Sequence, residues 1–200
     1  MNYLFFDIEC AKCEGDGKGF ICEFGYVITD ENFKVIDTEE WLINPNHEFD
    51  WYAKYKLLSY KEDNYKRQAK FPKYYNKIAK ILEQENQVIL GHTTKFDFGY
   101  INFECERYKL EKIELPYYDI CIPFKQLRGE RQDTSLKNML LKLEIERPGK
   151  LHNAQNDAMA TMMVCKKLCE EYHIAMEGLI KIQAVKKNLM VNVNENSNAG

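Results

Sequence analysis

The chain has 200 residues, of which 45% are hydrophobic and 13% aromatic, enough apolar material for one main domain with a single core. Its formal net charge of −3 excludes a protein that binds nucleic acid through overall basic charge, so contact with a polyanion must be local or supported by metal ions. No apolar run approaches the roughly 20 residues of a transmembrane helix, and no basic leader precedes the first predicted strand. We therefore expect a cytoplasmic protein without membrane contact.

The seven cysteines are scattered along the chain. An odd number at irregular spacing is typical of reduced thiols in the cytosol rather than of a disulfide framework. Cys10, Cys13 and Cys22 leave a zinc site as an alternative, although the sequence offers no evident fourth ligand.

The first predicted strand ends in two acids. Four apolar residues, Tyr3 to Phe6, predict a strand buried on both faces, and its period of two places Asp7 and Glu9 on the same side. Neighbouring carboxylates raise each other's pKa and need a cation or a proton. Oxygen ligands favour Mg²⁺ or Mn²⁺, whereas the alternative is an acidic pair that faces water.

Two further strands follow at residues 20–29 and 33–43. The glycine-rich segment 14–19 between the first two strands predicts a hairpin connection, and Asp30-Glu31-Asn32 predicts the next turn. The first three strands are therefore expected to form an antiparallel meander.

Residues 51–80 are basic and aromatic. Nine lysines and arginines face two acids, and eight aromatic residues are interleaved with them. Cations that pair with phosphates and rings on which bases stack predict a guide for a single strand, with Lys54, Lys56 and Arg67 as expected contacts. The alternative is a pair of solvated helices whose rings pack inward.

The remaining elements alternate between helix and strand. We predict helices at 71–85, 95–108, 134–143 and from about 153 to 172, with strands at 87–90 and 116–120. Asp119 is expected to cap the helix that follows it rather than to bind metal. After residue 178 a weak helix leads into an asparagine-rich tail, which we expect to be mobile.

Two acids interrupt apolar helix faces. Asp97 precedes Ile101 and Cys105 on one helical face, and Asp157 shares the packed face of the last long helix. His152 stands just before that helix, where its ring can reach the same point.

These acids and the histidine predict a hydrolytic centre. Four buried carboxylates would be neutralised by two divalent ions, and two ions about 3.5–4 Å apart suit phosphodiester hydrolysis. A nearby histidine can accept the proton of water at neutral pH. The residues thus predict metal-assisted hydrolysis of a phosphate ester.

Three segments resemble the motifs of the DEDDh exonucleases, which include polymerase proofreading epsilon subunits, ribonuclease T and oligoribonuclease. They are Phe6-Asp7-Ile8-Glu9, Gly91-His92-x-x-Lys95-Phe96-Asp97 and His152-x4-Asp157. The resemblance covers residues 2–172 and implies an α/β, ribonuclease H-like fold with a mixed five-stranded sheet flanked by helices. It also implies 3′→5′ hydrolysis of single-stranded nucleic acid to nucleoside monophosphates with two Mg²⁺ or Mn²⁺ ions. The implied metal ligands are Asp7, Glu9, Asp97 and Asp157, and the implied general base is His152.

The first motif departs from the family. Members commonly continue it with two threonines and a glycine that hold the terminal nucleotide, whereas Cys10-Ala11-Lys12 follows here. We expect Cys10, Ala11 and Phe96 to contact that nucleotide instead. The expected organisation is an exonuclease domain at 1–175 and a C-terminal helix with its tail at 176–200. Alternatives are a catalytically idle nucleic-acid-binding module, which a polymerase or another protein could recruit, and an oligoribonuclease confined to very short RNA.

Overall fold

The structure is a computed structural model that describes residues 1–12, 19–132, 134–150 and 152–183. Its centre is a five-stranded sheet with the strand order β3-β2-β1-β4-β5. The strands are β1 Asn2–Lys12, β2 Gly19–Thr29, β3 Val35–Leu42, β4 Gln87–Gly91 and β5 Tyr118–Asp119. The first three strands pair antiparallel, whereas β4 and β5 run parallel to β1. The predicted meander and the predicted mixed sheet are both confirmed.

Helices cover both faces of the sheet. A π-helix, Ala53–Leu57, precedes α1 Glu62–Lys66, α2 Phe71–Leu82, α3 Lys95–Tyr108, α4 Cys121–Arg128, α5 Leu136–Lys142 and α6 Ala154–Tyr172. A further helical segment spans 176–183. Asp119 stands one residue before Ile120, the N-cap of α4, and accepts a hydrogen bond from the backbone N–H of Cys121 at 2.9 Å, so it contacts the start of that helix as predicted. Among the described helices, none is long and apolar enough to cross a bilayer.

The two faces of β1 belong to different halves of the core. Tyr3 and Phe5 pack with residues of α4, α5 and α6, whereas Leu4 and Phe6 pack with residues of α2 and α3. All four are fully buried, as expected for a strand that is covered on both sides. The alternation along the strand then places Asp7 and Glu9 on the α6 face, beyond the end of the apolar run.

Three predictions concern residues outside the described ranges. They are the hairpin at 14–19, apart from Gly19, the mobile tail at 188–200 and the zinc ligand Cys13. The division into a domain at 1–175 and a C-terminal segment remains a prediction.

Candidate active site

Three of the predicted ligands converge at the carboxyl end of β1. Carboxylate oxygens of Asp7, Glu9 and Asp157 all lie within 4.8 Å of one another. Asp7 and Glu9 reach this point because they share one face of β1, and Asp157 reaches it from the first turn of α6, which packs on that face. Residues 150 positions apart in the chain thus form one acidic cluster.

Asp97 approaches from the opposite face of the sheet. It lies in the first turn of α3, and its side chain is buried with only 7% exposure. The pairing of β1 with β4 ends at Phe5, which leaves later N–H groups of that edge open. The Asp97 carboxylate accepts hydrogen bonds from the backbone N–H groups of Ile8 and of Asp97 itself. The structure therefore places Asp97 beside the three-acid cluster rather than within it.

The acids carry strongly perturbed proton affinities. Burial raises the pKa of Glu9 to about 8, and the nearby charges of Asp157, Glu23 and Asp97 act in the same direction. Burial also raises the pKa of Asp97 to about 8, although its hydrogen bonds with backbone N–H groups act to lower that pKa. The pKa of Asp7 lies well above its ordinary value because of burial and then the charge of Asp97. Without added positive charge, this cluster holds protons at neutral pH.

His152 stands at the edge of the acidic cluster. Its Nδ1 lies 3.8 Å from Glu9 Oε1, and 49% of its side chain is exposed. Its backbone adopts the left-handed region with a φ of 55°, which is uncommon for a residue other than glycine. Ser59 donates a hydrogen bond to the backbone carbonyl of His152 and holds this conformation. The ring is thereby accessible to water and adjacent to a carboxylate.

Arg147 supplies positive charge to one of the acids. Its Nη2 donates to Asp157 Oδ1 at 2.6 Å, and the ion pair is largely buried. The pKa of Asp157 is raised by burial, and the charge of Arg147 opposes that rise. Sequence patterns did not indicate this residue, because it lies in an irregular segment between α5 and α6.

The predicted contacts for the terminal nucleotide divide into two groups. Cys10 and Phe96 line a cavity of about 770 Å³ next to the acidic cluster, together with Lys12, Lys95, Tyr100 and other residues. Phe96 presents an exposed ring, with 67% of its surface open. Ala11 is fully buried and packs with Phe20 and Phe49, so its side chain is unavailable for a substrate.

The predicted cationic contacts differ in whether an acid of the chain already pairs with them. Lys54 and Lys66 both form ion pairs with Glu48 and Glu62, at 2.7–3.9 Å between nitrogen and oxygen. Lys54 is therefore partly neutralised, because Glu48 precedes the basic segment in sequence and folds back onto it. Lys56 and Arg67 are exposed.

A sequence profile described as "Exonuclease" matches residues 4–165, which is most of the chain and includes every predicted catalytic residue. The chain belongs to the exonuclease family. The predicted resemblance to this family, and with it the prediction of an exonuclease, is confirmed. Among curated proteins, none matches the chain.

Solved structures share the fold of this exonuclease at low sequence identity. The nuclease domain of 3′hExo, a DEDDh family member solved with rAMP, is 18% identical with a TM-score of 0.73, and the match covers 85% of this chain and 92% of that one. A 3′-exonuclease described with a histone mRNA stem-loop is 17% identical with a TM-score of 0.72, over 85% of this chain and 64% of that one. E. coli exonuclease I, solved with an oligonucleotide, is 16% identical with a TM-score of 0.72, over 95% and 44% of the two chains. The exonuclease chain thus spans less than two thirds of two of these proteins, and the likeness confirms the ribonuclease H-like fold.

One buried acid of this exonuclease holds the start of α6 in place. Glu23 is fully buried, is the register partner of Glu9 on β2, and accepts hydrogen bonds from the Tyr65 hydroxyl and from the backbone N–H of Ala154 at 3.2 Å. Asn153 adds a hydrogen bond to Glu40. Glu23 thereby positions the helix that carries Asp157. A charged residue within the apolar run Phe20–Thr29 was the sequence signal for this role, and it was missed.

Proposed function

We propose that the protein is a divalent-metal-dependent 3′→5′ exonuclease that hydrolyses single-stranded DNA or RNA to nucleoside monophosphates. The observation that carries this proposal is the convergence of Asp7, Glu9 and Asp157 within 4.8 Å, with an imidazole 3.8 Å from Glu9. The fold similarity to 3′hExo and to the 3′-exonuclease described with a histone mRNA stem-loop supports the direction of hydrolysis.

The donor set fits divalent cations of the magnesium type. The donors are carboxylate oxygens without sulfur or imidazole among the three closest groups, and hard ions such as Mg²⁺ and Mn²⁺ prefer such ligands. Four acids against the single charge of Arg147 leave the cluster short of positive charge, which two divalent ions would supply. Asp7, Glu9, Asp97 and Asp157 would hold these ions. When bound, such ions neutralise charge on a phosphodiester and increase the acidity of water.

The chain's own residues would orient the substrate and move the proton. Phe96 and Cys10 border the cavity in which the terminal nucleotide would lie, with the exposed ring of Phe96 able to contact a base or sugar. His152 Nδ1 faces Glu9, so the other ring nitrogen, Nε2, can accept a proton from water. Glu9 would stabilise the imidazolium that results.

Degradation of labelled strands tests this function. We expect strands labelled at the 5′ end to shorten from the 3′ end with Mn²⁺ or Mg²⁺, to release nucleoside monophosphates, and to stay intact with EDTA. The panel should contain matched DNA and RNA as single strands, duplexes and dinucleotides. Activity on dinucleotides and very short RNA alone would favour the oligoribonuclease alternative.

A matched pair of variants separates catalysis from folding. Asp157→Asn should abolish hydrolysis while leaving the fold intact, whereas Asp37→Asn, which removes a surface carboxylate on β3, should retain it. Full activity of Asp157→Asn, or a purified enzyme inert toward every strand with either metal, would contradict the proposed function and leave the idle-module alternative.

A further inference from the structure

An exposed pair of aromatic rings lies on a segment that is hydrogen-bonded at both ends to residues of the proposed active site. Trp51 and Tyr55 are 64% and 70% exposed, and their ring centroids are 5.6 Å apart. They lie four residues apart on one helical face at the start of the π-helix, and Tyr52 next to them is 62% exposed. Two other rings of the basic segment, those of Tyr65 and Phe71, are buried. The alternative of inward-facing rings therefore fails for this pair.

The segment that carries these rings forms hydrogen bonds with Lys12 and His152, two residues of the proposed site. The N–H of Asp50 donates to the carbonyl of Lys12 at 3.1 Å, and Lys12 lines the cavity that contains Cys10 and Phe96. At the other end of the segment, Ser59 donates to the carbonyl of His152. Segment 50–59 thus connects the terminal-nucleotide cavity to the proposed base. This segment carries the exposed rings of Trp51 and Tyr55.

The backbone that carries the ring pair is anchored from beneath. Ala53 is 1% exposed and packs with Phe49 and Tyr65, so the inner side of the π-helix is part of the core. An anchored backbone reduces the conformational freedom that is lost when a ligand stacks on the rings. Lys56 is exposed beside them, and within the described ranges no acid forms an ion pair with it.

We propose that Trp51 and Tyr55 form a stacking platform for unpaired bases upstream of the bond that is cut, with Lys56 close to the backbone phosphates. The inference rests on the proposed function and deepens it, because it makes single strands of several nucleotides the preferred substrate. Every base presents a flat π-face, so stacking of this kind is independent of sequence. A duplex cannot stack its bases on this pair until it separates.

Binding to strands of different length tests the platform. In an Asp157→Asn background that leaves the strand uncut, we expect the double substitution Trp51→Ala and Tyr55→Ala to weaken dodecanucleotide binding by roughly 10- to 100-fold with Mn²⁺, measured by fluorescence anisotropy. Ile36→Ala is the matched control. It removes another exposed apolar side chain, near the far end of β3 where Val35 pairs with Thr29, and should change nothing.

An abasic strand separates stacking from charge. A dodecanucleotide with upstream bases removed keeps its phosphates, so it should bind the protein with Trp51 and Tyr55 as weakly as the intact strand binds the double variant. The double variant itself should not distinguish the two strands. In the otherwise unsubstituted enzyme, the same two changes should raise the KM for the dodecanucleotide and leave dinucleotide hydrolysis unchanged.

Each proposal can fail on its own. Equal binding of the intact strand by both proteins would overturn the platform. Equal binding of abasic and intact strands by the protein that retains both rings would also overturn it. Absence of hydrolysis in every assay, with ring-dependent binding intact, would refute the proposed function and leave the platform standing.

Discussion

The proposed role of His152 as a proton acceptor depends on its imidazole ring alone. Replacement by alanine removes the group that would accept a proton and leaves all four carboxylates in place. We expect His152→Ala to lower kcat by about 10²- to 10⁴-fold, the usual contribution of general acid–base catalysis. Mn²⁺ affinity by calorimetry should be unchanged. A large loss of Mn²⁺ affinity would instead place His152 among the metal contacts.

Arg147 offers a second prediction at this scale. Its guanidinium lies 2.6 Å from Asp157 Oδ1 and would compete with divalent cations for that oxygen. We expect Arg147→Gln to tighten Mn²⁺ binding by a few-fold to about tenfold in calorimetry, since one repelling charge is removed. Arg128→Gln, which breaks the surface ion pair with Glu171, is the matched control and should have no effect. Weaker Mn²⁺ binding in Arg147→Gln would mean that Arg147 orients Asp157.

Single residues differ in how well the sequence indicates their roles. Asp7, Glu9, Asp97 and Asp157 stand out because each interrupts an apolar pattern whose geometry is known from its period. Arg147 follows no such pattern, since its contact with Asp157 depends on the path of an irregular segment. Ala11 was expected at the substrate, but the strand alternation that leaves Cys10 partly exposed turns Ala11 into the core.

The contact between β2 and α6 depends on one glycine. A Cβ added to Gly25 would lie 2.1 Å from the backbone nitrogen of Gln155, in the first turn of α6. We expect Gly25→Ala to lower the free energy of unfolding by about 1–3 kcal/mol, the usual effect of overpacking, in urea denaturation. Because the first turn of α6 carries Asp157, hydrolysis should fall as well.

A glycine in a helix provides the control for that substitution. A Cβ at Gly99 in α3 meets no atom within 4 Å, so Gly99→Ala should raise the free energy of unfolding by up to about 1 kcal/mol through helix propensity. Unchanged stability of Gly25→Ala would show that α6 can move away from β2 without loss.

Elements with a strong period were predicted closely, and α3 begins and ends at the predicted residues. The basic segment was harder to predict because its composition fits both a guide for a single strand and solvated helices whose rings pack inward. The structure supports each alternative for different residues. Tyr65 and Phe71 are buried, whereas Trp51 and Tyr55 are exposed. Charge counting along the sequence also missed Glu48, which pairs with Lys54 and Lys66 only after the chain folds back.

At the scale of the whole molecule, the sheet brings together acids that its two faces supply separately. Asp157 arrives on α6 from one face and Asp97 on α3 from the other, and both meet the end of β1. The fold therefore concentrates negative charge where the core ends. This arrangement links stability of the entire domain to the ionisation of a few carboxyl groups.

That link predicts how stability depends on pH and metal. Glu9 and Asp97 have pKa values raised from 4.5 and 3.8 to about 8, so between those limits the folded state binds more protons than the unfolded chain. The free energy of unfolding in EDTA should therefore fall as pH rises from about 5 to about 8, by up to about 1.4 kcal/mol per pH unit for each such group. Mn²⁺ should raise the stability of the protein most near pH 8, where protons compete least with the metal for the carboxylates. Thermal unfolding with EDTA or Mn²⁺ measures both trends, and Glu9→Gln should flatten the EDTA curve. Stability that did not change with pH in EDTA would mean that these carboxylates ionise in the fold without penalty, and stability that rose with pH would mean that the fold lowers their pKa values.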